Sequence, residues 1–458
     1  MTEAKSRHMD LLLNAPIPSL LWRLAAPNVT ATVILTAVTV ADALFVGFLG
    51  TAALASLALV FPFQTLTQMM AGGAIGGAVT SAVARALGAG DREHANVLAW
   101  HAVVVACGMA LPFFVVLGLL PATIFGLLGG AGDVLDGAVR YAQIAFGGVV
   151  ATWLFYVLAA ILRGTGDIAT PVRAIIATSL LQVGLSGLLT LGVGPVPSFG
   201  IMGPAIAMVL CQGLAVAYMA VHLFGSGAGV KLRFGGLRLR PFVDIMTVGA
   251  IGLVHSAALA GTVVVVTALV GTYGTAALAG YGLGGRLELM LVPIVFGIGG
   301  ALTASVGANF GAGQFARARR IAWAGAGIAM CLTGVIGFTV TALPGVWLDR
   351  FTADPDAYAI GALYLAIAAP FYGIFGGGQA LYFASQGTGR LVLPVTVSAS
   401  RFAFIAIVGS IAIAQKWDLS SMFVGVAIGL VFMGVGQALC LFGPGWRPDD
   451  RLPARAVS

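Results

Sequence analysis

LAAPNVTATVILTAVTVADALFVGF, Leu24–Phe48, carries one ionisable side chain, Asp42, and shows no alternation of period two. Wound as a helix at 1.5 Å per residue, a run of this length crosses the ~30 Å hydrocarbon layer of a bilayer. A charged side chain at the centre of such a helix costs about 2.5–3.5 kcal/mol on insertion scales, so Asp42 needs a reason to be there.

The rest of the chain agrees with a membrane setting. Apolar residues make up 59% of the 458 and charged residues 9%, and the mean hydropathy is +1.03. A soluble domain carries about 25% charged residues; a chain this apolar could not solvate its own surface. Apolar runs separated by polar or glycine-rich breaks give twelve expected membrane helices, at 24–49, 53–83, 96–120, 137–162, 171–193, 200–224, 243–270, 276–306, 320–343, 358–385, 391–414 and 419–442. The runs are too long and too evenly apolar for membrane strands, so the expected class is all-α.

Lysine and arginine set the expected orientation. Eighteen of them, from Lys5 and Arg7 through Arg317, Arg319 and Arg320 to Arg455, fall on the side that holds both ends and every second connection. The other side holds Arg140, Arg350 and Lys416. The positive-inside rule then puts both termini in the cytoplasm. The same distribution accounts for the net charge of +7 without a nucleic-acid partner. Cys107, Cys211, Cys331 and Cys440 each lie in an apolar run with no C-x-x-C spacing, which predicts small buried residues and neither disulfides nor zinc. The opening MTEAKSRHMD is followed by no short apolar core with a cleavage site, so no signal peptide is expected.

The chain also repeats itself. GTAALA at 50–55 recurs at 274–279, GAG at 88–90 recurs at 311–313, and GTG at 164–166 recurs at 387–389. LAW at 98–100 returns as IAW at 321–323, and Pro171 as Pro394. From GAG onward the offset is a constant 223 residues. A repeat unit of six helices keeps both copies in one orientation, which predicts two parallel lobes around a central cavity. The expected division is 1–224 for the first lobe, 225–242 for a cytoplasmic linker, and 243–458 for the second lobe with its tail. The linker, GSGAGVKLRFGGLRLRPF, alternates basic and apolar residues. It fits either a strap on anionic headgroups or a solvated connection.

At this point the motifs resemble a known family. ADALFVGFLGTAALAS (41–56), TSAVARALGAGDREHA (80–95), LRGTGDIATP (162–171), GPAIAM (203–208), AALAGYGLGGRLE (276–288) and GANFGAGQFARARR (307–320) together resemble the multidrug and toxic compound extrusion (MATE) transporters. The likeness is closest to their DinF-like branch. It implies a two-lobed, twelve-helix transporter of the bacterial inner membrane that expels cationic or amphipathic compounds in exchange for H+ or Na+. It also implies that Asp42, in its D-x-x-x-V-G context, couples the two fluxes. The chain departs from the family pattern at Gln182 and Ser186, where the fifth helix often carries Asn and Asp, and at Met208, where a threonine is common. The seventh helix offers His255 where sodium-coupled relatives have an acid, which tilts the expected coupling ion toward the proton.

Chemistry supports the same role for Asp42. A desolvated carboxyl group favours its neutral form and a bound cation favours its charged form, so proton and cationic substrate can compete for one site. The alternative is an idle carboxylate near an interface. The matching position in the second half is Val266 or Thr267, so Asp42 is not duplicated. In the second half Arg286, Glu288 and Arg401 form a candidate charge network. Glu288 is either a second coupling site or half of an internal ion pair. On that reading Asp42 exchanges protons and Glu288 holds its lobe together.

Further candidates are polar residues inside the spans. Gln64, Thr67 and Gln68 share a helix face and, with Gln182, Gln212 and Gln379, would line a cavity or join helices. His255 and His101 are proton relays or hydrogen-bonded packing residues. Pro27, Gly47, Gly249 and Gly252 are candidate bending points. No GxxxxGK[ST], HExxH, paired carboxylates or metal-ligand cluster occurs, so neither an ATP-driven pump, a cofactor-dependent protein nor an intramembrane enzyme is expected. A flippase for a lipid-linked precursor is the second reading; it wants a free cation for phosphate, and Arg401 is the single candidate. The expected partners are membrane lipids, small substrates and H+ or Na+, and a monomer is expected.

Overall fold

Lipid offers no hydrogen bonds to a backbone, so a chain of long apolar runs must satisfy its N–H and C=O groups within helices. The computed structural model describes residues 2–192, 194–225, 229–352 and 354–447, without the side chains of residues 2–7 and Leu289. Arg451, Arg455 and linker positions 226–228 lie outside the described residues. No strand occurs among the described residues. Among the described residues eleven helices are long and apolar enough to cross a membrane, and the pair Gly132–Gly147 and Val149–Gly164, bent by 46°, makes a twelfth if it is counted as one broken span.

The structure corrects the expected spans in several places. The first long helix is Ile17–Gly47, starting about two turns before the apolar run, and it is preceded by a helix at Thr2–Asn14 in the polar start. The expected span at 137–162 is broken at Gly148. There a Cβ would sit 2.4 Å from Cγ1 of Val209, so only glycine lets the backbone approach the helix Met202–Phe224 this closely. The equivalent break in the second half, at Ala369–Phe371, is made by opposite means: Pro370 lacks the amide that would continue the helix. A wide π-helical turn, Met69–Ile75, lies within the span Thr51–Gly88.

The repeated motifs repeat as structure. Gly50 and Gly274 open the two GTAALA copies with φ of 106° and 112°, a conformation that only glycine adopts freely, and each starts a helix at the following threonine. Each residue of GTG has its own part in the turn. The second glycine turns the chain, with φ of 84° at Gly166 and 78° at Gly389. The threonine hydroxyl returns to its own helix end, Thr165 to Leu162 O at 2.7 Å and Thr388 to Ser385 O at 2.8 Å. The first glycine sits against the neighbouring helix. A Cβ on Gly164 would lie 2.9 Å from Val83 Cβ, and one on Gly387 would lie 2.8 Å from Thr303 O. Beside them Thr80 donates to Ala160 O and Thr303 to Phe383 O, at 3.0 and 2.9 Å.

Gly164→Ala and Gly387→Ala are therefore expected to destabilise the protein by similar amounts. Overpacking of this kind costs about 1–3 kcal/mol. The check is the melting temperature of each purified variant in one detergent. An unchanged value for both would mean that the close approach can be relieved without cost.

By contacts the described residues group into two compact units, 1–12 with 30–249, and 13–29 with 250–458. The core of the second is built on Tyr364, Tyr372 and Phe423, all fully buried. That of the first includes Trp153, Phe125 and Phe146. Large apolar side chains stay exposed along the spans, among them Leu111, Leu180, Leu210 and Val335, as a lipid-facing surface requires.

Candidate functional site

Asp42 lies five residues before the end of Ile17–Gly47, half-buried, and its oxygens are claimed by the helix Ala169–Leu191. Ser186 Oγ donates to Oδ1 at 2.6 Å and Gln182 Nε2 donates to Oδ2 at 3.2 Å. Gln182 and Ser186 are four residues apart, so both project from one helix face, and both are buried. These are two of the positions at which the sequence departs from the pattern it resembles. The departure keeps hydrogen-bond donors and removes the second carboxylate. Among the described residues no lysine, arginine or histidine forms an ion pair with Asp42. Its partners are all neutral, which leaves its charge for a proton or another cation to neutralise.

A second layer surrounds this contact. Gln64 Nε2 donates to the hydroxyl of Tyr141 at 3.0 Å and lies 3.7 Å from Met208 Sδ. The phenol is buried and within electrostatic reach of Asp42, as is Cys211. Having accepted from Gln64, Tyr141 keeps its own proton to donate. Five helices of the first unit thus converge here. Next to Gln64 a cleft of about 10 Å³, room for one water, is lined by Thr67, Gln68, Phe146, Thr152 and Met208. Thr67 spends its hydroxyl on Phe63 O, whereas Thr152 donates to Gln212 Oε1 at 2.6 Å. The structure brings Asp42, Gln64, Gln182, Ser186 and Met208 together, and adds Tyr141, which the sequence reading passed over. Its one signal was a phenol inside an expected membrane span, since a buried phenol needs a partner, though the partner itself is not local.

The candidates of the second unit are placed differently. His255 stacks on Tyr382 with ring centroids 3.5 Å apart and contacts Ser398 Oγ at 2.7 Å. These are contacts that a packing residue makes, and Gln379 is buried as well. Glu288 accepts from Tyr364 Oη at 2.9 Å, and its other oxygen lies 3.8 Å from Arg401. Arg401 is buried, with its guanidinium 5.0 Å above the Phe375 ring. Arg286 does not join them: it is exposed, two residues along on another face. At Asp42's counterpart positions, Val266 is in the apolar core and Thr267 donates to Val263 O of its own helix. His101 holds the linker, its Nε2 accepting from Arg238 N at 2.9 Å.

Ser186→Ala removes the shortest contact to the carboxylate. A hydrogen bond to a charged group is worth about 1.5–3 kcal/mol, or roughly tenfold and more in an equilibrium. Transport by this variant in proteoliposomes is expected to fall by about that factor at wild-type yield. Unchanged transport would make Ser186 a spectator.

Known proteins agree with this architecture. The family model described as MatE matches residues 27–188 and 242–411. The chain is 26% identical over 387 residues to the FAD transporter of Shewanella oneidensis, covering 81% of this chain and 82% of that protein. It is 24% identical over 383 residues to the probable multidrug resistance protein NorM of Thermotoga maritima, covering 82% of each. Its fold matches that of a MOP superfamily transporter from Pyrococcus furiosus with a TM-score of 0.86, at 20% identity over 94% of this chain and 96% of the other. With more than half its length matched by the family model, the chain belongs to the MatE family of multi-pass membrane transporters.

Proposed function

We propose that this protein is a proton-coupled antiporter that exports cationic or amphipathic small molecules by alternating access. The observation that carries the reading is Asp42, a membrane-embedded carboxylate whose hydrogen-bond partners, Ser186 and Gln182, are neutral. Neutral donors let the group exist either protonated or paired with a substrate cation, and exchange of the two is the minimum chemistry of an antiporter. The protein acts as a monomer in the bacterial inner membrane with both termini cytoplasmic, as the arginine distribution supports. Bending for alternating access falls at Pro27 and Gly249, because the first compact unit begins again at residue 30 and ends at 249 within two continuous helices.

The test is efflux from proteoliposomes under imposed pH or sodium gradients. Export of an aromatic cation driven by an inward proton gradient, and insensitive to sodium, supports the reading. Export driven by sodium alone overturns the choice of ion. The relative named as an FAD transporter makes flavin adenine dinucleotide a second substrate to assay. The carboxylate at the site favours the cation. For a lipid-linked phosphate substrate the second unit would need a free cation, and Arg401 faces Glu288 instead.

A further inference from the structure

We infer that the connection between residues 229 and 240 is a strap that lies on the bilayer surface and binds anionic phospholipid headgroups. Its backbone is fastened to one face of the helix Arg92–Phe113. Lys231 N donates to Asn96 Oδ1 at 2.7 Å, Trp100 Nε1 donates to Gly235 O at 3.0 Å, and Arg238 N donates to His101 Nε2 at 2.9 Å. His101 Nδ1 lies 2.7 Å from Val97 O, so the ring is held as a neutral clasp that accepts on one nitrogen and donates on the other. A plain solvated linker would have no need of three separate anchors.

The anchors decide which side chains point away. Val230 and Leu232 are buried, whereas Phe234, Leu237 and Leu239 are 74%, 60% and 78% exposed. Interleaved with them are Arg233, Arg238 and Arg240, all exposed, and Lys231; no acid occurs between residues 225 and 243. The patch is thus apolar and uniformly cationic, which water solvates poorly and an anionic headgroup layer matches in both respects. Its position agrees. The Phe234 ring packs on Phe224, the last residue of Met202–Phe224, whose outer residues Val221 and Phe224 are themselves exposed apolar groups. The strap therefore continues a lipid-facing surface at the end of a membrane helix. A soluble acidic partner would be matched by the arginines and would leave that continuity unused.

The inference rests on the membrane placement of these helices and is separable from the choice of substrate. In a background with the exposed Cys107 and Cys331 changed to Ser, a spin label at Leu237→Cys reports contact with oxygen, which dissolves in lipid, against a water-soluble nickel chelate. The full-length protein is reconstituted in phosphatidylcholine with or without phosphatidylglycerol. The oxygen-to-nickel ratio is expected to rise severalfold with the anionic lipid, and to lose that rise in 1 M salt or in the variant R233Q/R238Q/R240Q. A label equally wet in both bilayers, or a ratio indifferent to the three arginines, overturns the proposal. A control label at Leu180→Cys, exposed midway along Ala169–Leu191, tests the span itself. A lipid-exposed control beside a wet strap sinks the strap and leaves the transporter reading intact.

Discussion

Asp42→Asn is expected to insert and fold at wild-type yield while export driven by a proton gradient falls to the level of empty liposomes. Asparagine keeps the size of the protonated carboxyl group; its Oδ1 still accepts from Ser186, and Gln182 keeps a partner by turning its amide so that Oε1 accepts from Nδ2. What asparagine lacks is an exchangeable proton and a charge to hold a cation. The sign of the pH effect follows. In the proposed antiport, substrate would load on the ionised carboxylate from the cytoplasmic side and protonation from the outside would displace it. External acidification should therefore speed wild-type export and leave the variant unmoved. Near-normal export by purified Asp42→Asn would remove the coupling role, whatever the pH profile.

Glu288→Gln is expected to do the reverse, lowering stability and yield with little change in the pH dependence of transport. It leaves Arg401 buried without its counter-charge. Removing one partner of a buried pair costs about 3–5 kcal/mol. The 3.8 Å separation and the partial exposure of Glu288 place this pair at the lower end. A change of that size lowers the melting temperature by several degrees or prevents purification. Glu288→Gln/Arg401→Met removes both charges and should recover much of the loss, which separates an ion-pair effect from lost packing. A Glu288→Gln protein of wild-type stability whose transport had lost its pH dependence would move coupling to the second half.

The two acids show how far the sequence reading reached. That Asp42 lies in a membrane helix, singly and without a counterpart, is a property of a few dozen consecutive residues. So is the ambiguity of Glu288. The partners that favour a structural reading, Arg401 and Tyr364, lie more than seventy residues away and face it from other helices. Tyr141 was passed over for the same reason. Nothing local in YAQIAFGG distinguishes a tyrosine that packs from one that meets Gln64, 77 residues earlier.

Membrane residence, helical class, the count of twelve spans and the internal duplication were all legible without coordinates. Each follows from a local constraint: lipid forces the backbone to satisfy itself within a segment, so the length and composition of a run determine its state. The repeat is legible because turns such as GTG demand glycine for conformation and close approach wherever they recur. Tertiary structure alone decided that residues 140 and 144 positions distant supply the donors to Asp42. It also decided that His255 stacks on Tyr382, that Arg286 stands apart from Glu288, and that three side chains of one helix hold the strap. Those choices depend on the direction in which each helix turns its polar face. Inside a nearly uniform apolar chain, that direction is set by packing against neighbours remote in sequence.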